Sequence, residues 1–101
     1  MLTDENLLIE RPHLSSYIGG IQRIYRFKSG YGLSVVNSPM LHAYPFAWEA
    51  AVLKGVTDDG DFESLDYSTG LTEDVEVFDS DEEANDFIRR AAVELADFQF
   101  A

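Results

Sequence analysis

The clearest pattern in the chain is helical and lies near its C-terminal end. Ala84, Phe87, Ile88, Ala91, Ala92, Leu95 and Ala96 recur at i, i+3, i+4, i+7, i+8, i+11 and i+12, one apolar stripe on a helix with 3.6 residues per turn. Ser80-Asp81-Glu82-Glu83 precedes it. This is a capping box, in which the serine oxygen and the glutamate three residues on satisfy reciprocal backbone N–H groups. The order of charges also places Asp86 with Arg90 and Arg90 with Glu94 as i,i+4 pairs on the outer side.

Upstream, the period shortens to that of strands. Residues 21–27 and 33–36 flank Lys28-Ser29-Gly30-Tyr31-Gly32, whose glycines suit a tight turn. A loop of odd length sets Phe27 across from Leu33 and Tyr25 across from Val35, which collects the apolar side chains on one face. Residues 48–53 and 62–67 form a second hairpin around Asp58-Asp59-Gly60. Placing Gly60 at the left-handed position of a three-residue turn sets Leu53 opposite Leu65 and Ala51 opposite Tyr67. After a turn at Ser68-Thr69-Gly70, residues 74–78 read as a short edge strand whose acids discourage pairing with another chain.

Residues 1–16 lack a clear period and read as a partly ordered arm in which Leu7-Leu8-Ile9 can dock. Residues 39–45, closed by two prolines, read as a connecting loop. The expectation is an α+β fold: an antiparallel sheet of about four strands, the two hairpins, with residues 74–78 as a candidate further edge strand, covered by one C-terminal amphipathic helix. Residues 17–101 would make a single domain.

Composition adds two constraints. With 46% hydrophobic residues in 101, the chain is globular rather than disordered, and with no cysteine its core must hold by packing alone. The acidic residues near the N-terminus and the lack of a long apolar run argue against a signal peptide or a membrane span, so the expected compartment is cytoplasmic. Charge is unevenly divided. Residues 1–54 hold five basic side chains against four acidic ones, and residues 55–101 hold two against fifteen, for a net charge of −12.

Candidate chemistry is sparse. His13 and His42 sit in no metal-binding spacing and beside no cysteine nucleophile. Ser68-Thr69-Gly70 lacks the glycine pattern of a nucleophile elbow, and the glycine pairs at 19–20 and 30–32 open no phosphate loop. Asp58, Asp59 and Asp61 lack the ligand order of an EF-hand. No cofactor or metal is implied, and no carboxylate pair stands out as an acid and a base. The chain reads as a binding protein rather than an enzyme.

The binding candidate is the acidic stretch itself: Asp58, Asp59, Asp61, Glu63 and Asp66 around the second hairpin, then Glu73, Asp74, Glu76, Asp79, Asp81, Glu82 and Glu83 through the edge strand and helix start. Helix dipoles and turn preferences account for some of these, but twelve acids between residues 58 and 83 without an intervening base exceed that need. Such a surface repels nucleic acid and anionic membranes and attracts basic proteins, nucleic-acid-binding proteins foremost. Alternating strand carboxylates stand about 6.6 Å apart, commensurate with two phosphate steps along DNA. The competing expectation is an assembly module that forms a homodimer through Tyr44, Phe46 and Trp48, with the acids serving solubility. A third is a weak cation site at the hairpin acids.

The stretches Tyr25-Arg26-Phe27-Lys28-Ser29-Gly30-Tyr31-Gly32-Leu33-Ser34-Val35-Val36, Trp48-Glu49-Ala50-Ala51-Val52-Leu53 and Leu71-Thr72-Glu73-Asp74-Val75 resemble a group of small acidic bacteriophage proteins. In that group they read roughly YRFxNGYGxSVV, WELAVL and TDDV. The likeness spans about residues 23–88. Ser29 stands where the group has asparagine, residues 39–45 differ, and Gly55-Val56-Thr57 looks like an insertion. The resemblance implies a phage origin and the host cytoplasm, and supplies no site residues. Small acidic phage proteins often inhibit host defence, so an anti-CRISPR-like or anti-restriction role is the corresponding expectation.

Overall fold

The computed structural model describes residues 1–12, 20–37, 47–65 and 76–96. They form strands β1 (Leu7–Pro12), β2 (Ile21–Arg26), β3 (Gly32–Asn37), β4 (Trp48–Lys54), β5 (Ser64–Leu65) and β6 (Glu76–Phe78), followed by helix α1 (Asp81–Glu94). All six strands join one antiparallel sheet in the order β1-β2-β3-β4-β5, and β6 also pairs with β4. The class is the expected α+β, with a larger sheet than the four strands read from the sequence. Because β3 occupies one edge of β4, β5 and β6 share the other, β5 at Leu53 and Lys54 and β6 from Trp48 to Ala50.

The extra strand comes from the segment read as a partly ordered arm. Residues 7–12 pair along β2, with a register shift between Leu7 and Ile9. A turn at Asn6, whose φ of 66° lies in the left-handed region, leads into the strand, and Leu7 N–H closes it on the Asp4 carbonyl at 3.0 Å. Ahead of that turn Leu2 is buried in the main core. The boundary expected at residue 16 therefore does not separate an arm from a domain: β1 belongs to the same sheet. Residues 13–16 lie outside the described residues.

In the first hairpin the loop is odd, as expected, but closes two residues earlier. Phe27 N–H donates to the Tyr31 carbonyl at 2.9 Å and Gly30 N–H to the Phe27 carbonyl at 3.0 Å. Gly30, at φ 87°, supplies the left-handed residue of a three-residue turn. Tyr25 therefore faces Leu33 rather than Val35, and Phe27 faces Tyr31 rather than Leu33. A shift of two residues keeps side-chain parity, so the apolar face survives the change. The second hairpin closes as expected, with Gly60 at φ 85°, Thr57 N–H on the Asp61 carbonyl and Leu53 opposite Leu65. Tyr67, expected opposite Ala51, lies outside the described residues.

One face of the sheet packs against α1. Tyr25, Leu33, Val35, Trp48, Ala50 and Val52 meet Ala84, Phe87, Ile88, Ala91 and Leu95 in a single core. The helix stripe is thus the expected one, and burying it holds a helix too short to be stable alone in water. On the opposite face Ile24, Leu53 and Val56 form a smaller cluster with Leu8, Ile9 and Phe62 against it. Beside that cluster runs a polar chain: Arg11 Nε donates to Gln22 Oε1 at 3.0 Å and Gln22 Nε2 to Ser34 Oγ at 2.9 Å. No helix of the described residues is long and apolar enough to cross a membrane.

Candidate functional site

The described acids of this stretch divide into two groups along the shared β4 edge. The first begins where β6 hands over to α1. Ser80, with extended backbone angles, caps the helix by accepting from Glu83 N–H at 3.2 Å. Glu83 returns the bond through Oε2, at 3.3 Å, to the N–H of Asp79 rather than that of Ser80. The capping box is present with its return arm one residue longer than expected.

Asp81, in the first turn, accepts from Trp48 Nε1 at 2.7 Å and pairs with the Met1 ammonium at 2.9 Å. Hydrogen bonding from that ammonium, then from the indole, holds its carboxyl below the usual aspartate range. Asn85 adds bonds to the Met1 carbonyl and from Thr3 N–H, so the first residues of the chain lie along the start of the helix. Glu76, Asp79 and Glu82 are exposed, and no side-chain partner engages any of them among the described residues. Arg89 and Arg90 pair instead with Asp86 and Glu94 further along the helix. Arg90 therefore keeps one of its two expected partners, while Asp86 turns to Arg89 at i+3.

The second group lies at the tip of the second hairpin. Arg26 forms an ion pair with Asp58. Asp59 accepts from the Thr57 hydroxyl and from Asp61 N–H, and the Thr57 bond is the main reason its carboxyl sits below the ordinary range. Arg11 Nη2 reaches the Gly60 carbonyl at 3.4 Å, and Val56 N–H donates to the Gly30 carbonyl at 3.0 Å. The tip is thereby tied to β1, β2 and the first hairpin loop. Asp61 and Glu63 are exposed close by.

Among the described residues these groups stand apart along β4: Glu76 lies opposite Ala50 and Ser64 opposite Lys54, four residues or about 13 Å of strand. The tip acids also sit among Arg11, Arg26 and Lys54, whereas the acids at the helix start pair with no arginine or lysine among the described residues. Asp66, Glu73 and Asp74 lie outside the described residues, as do His13, His42, Tyr44 and Phe46. Trp48 is 8% exposed, packed in the main core with its N–H committed to Asp81. The expectation that it forms a self-association surface is corrected accordingly: the indole holds the helix to the sheet.

One cluster escaped the sequence reading. Arg23, only 7% exposed, bonds to Tyr25 Oη, Glu10, Asp4 and the Thr3 carbonyl. Burial opposes its charge, but Asp4, Tyr25 and Glu10 outweigh that cost and hold the guanidinium firmly protonated. Burial raises the Tyr25 hydroxyl pKa, partly offset by Arg23, and the hydroxyl donates to the Thr3 carbonyl at 2.7 Å. With every partner engaged, this network fastens the N-terminal segment to the sheet. Strand alternation puts Arg23 on the same face as Tyr25, but its carboxylate partners come from the N-terminal segment, for which residues 1–16 show no clear period.

Among the described residues no group of three or more histidine, aspartate or glutamate side chains is arranged to hold a metal ion. Comparison with protein-family models, with curated proteins and with solved structures found no match.

Proposed function

We propose that this chain is a binding protein that docks on a basic protein surface through the acids where β6 meets α1. The observation that carries this reading is the run of exposed acids there: among the described residues Glu76, Asp79 and Glu82 have no cationic partner and stand close to Asp81 and Glu83, whereas at the tip Arg26 takes Asp58. Carboxylates left in this state contribute little to stability but set a local field that steers basic partners and repels anionic ones. Together with the resemblance to small acidic phage proteins, this favours a nucleic-acid-binding host protein as the partner and inhibition by occupation of its phosphate-binding groove. An anti-CRISPR-like or anti-restriction role is the specific form of that proposal.

Capture from host lysate at low and moderate salt tests it. The expected result is a nucleic-acid-binding protein that is retained at low salt, lost as salt rises, and displaced by duplex DNA. Retention that ignores both salt and duplex DNA would overturn it.

A further inference from the structure

Between the N-terminal segment and α1 runs a groove of about 410 Å³. Ile88, Ala92 and Val93 make its apolar wall, Arg89 stands on the same side, and Glu5 and Asn6 face them from the other. Val93 is 74% exposed, a branched apolar side chain left open on a helix that otherwise buries its stripe. Glu5 is exposed with no side-chain partner among the described residues, while Arg89 lies 3.8 Å from Asp86 on its own helix. The groove thus joins an aliphatic wall to one carboxylate without a counter-ion.

We propose that this groove receives a lysine side chain projecting from the basic partner, an inference that rests on the docking reading above. A lysine suits both features, because its four-carbon stem covers apolar surface while its ammonium stays at the edge. The stem lies along Ala92 and Val93 and the ammonium meets Glu5. Arg89 opposes the same cation from the other wall, so the two charges pull affinity in opposite directions.

The probe is N-acetyl-lysine methylamide, titrated into the full chain and followed by amide chemical shifts, with the norleucine analogue as the uncharged control. Saturable shifts centred on Asn6, Ala92 and Val93 are expected, with weaker binding of norleucine. Glu5→Gln should weaken the lysine compound about two- to fivefold and Arg89→Gln should strengthen it by a similar factor. Both positions are exposed, and shifts elsewhere in the spectrum report whether either variant disturbs the fold.

Shifts centred on Glu82 and Glu83, or affinity indifferent to both substitutions, would overturn the groove and leave the acidic docking surface standing. Loss of the docking surface reads out separately, through capture that ignores salt.

Discussion

The hairpin tip and the helix start are both rich in aspartate and glutamate, yet the fold uses them differently. At the tip, Asp58 is spent on Arg26, Asp59 closes its own turn, and Gly60 presses against Ile9 and Arg11. There those two acids are architecture, while Asp61 and Glu63 are exposed beside them. At the helix start, among the described residues, only Asp81 and Glu83 are engaged, leaving Glu76, Asp79 and Glu82 exposed. Acid content alone therefore does not identify a docking surface. What distinguishes the two regions is whether the chain supplies the opposite charge or hydrogen-bond donor nearby.

The largest effect that should separate them is Gly60→Ala. Its φ is 85°, and an added Cβ would stand 2.7 Å from Ile9 Cγ2. The cost should be about 2 kcal/mol or more in chemical denaturation. Ser80→Ala at the other end should lose about 1 kcal/mol, the worth of an N-cap oxygen.

Smaller still is an acid dependence at Asp81. Because its folded pKa lies below the unfolded value of 3.8, the unfolded chain binds the extra proton first. Its contribution is complete above pH 3.8 and is lost as pH falls through the folded pKa. Thermal melts from pH 5 to pH 2 should show a smaller acid-induced loss in Asp81→Asn than in the unsubstituted chain. Smallest of all, Glu76→Gln with Glu82→Gln should move stability by less than about 0.5 kcal/mol, since neither side chain has a partner among the described residues.

The helix and the second hairpin were legible in the sequence because local chemistry specifies them. A serine cap with its glutamate, a 3.6-residue apolar period and an Asp-Gly turn act within a few residues. The first hairpin kept its parity but not its register, since two glycines offered two turns and Gly30 alone takes the left-handed position. β1 was harder to read: three consecutive apolar residues span its register shift and hide the alternation. The surplus of acid was visible, but not its division. Which carboxylate meets an arginine depends on Asp58 lying beside Arg26, thirty-two positions away in the chain, and no local pattern encodes that contact.

The most direct test of the docking claim is the salt dependence of partner affinity in two matched variants. One carries Glu76→Gln, Asp79→Asn and Glu82→Gln, and the other carries Asp58→Asn, Asp59→Asn and Asp61→Asn. The helix-start variant should lose about tenfold in affinity and flatten the salt dependence, with the tip variant close to the unsubstituted chain once both are confirmed folded. Equal losses from the two variants, or a larger loss from the tip, would contradict the account.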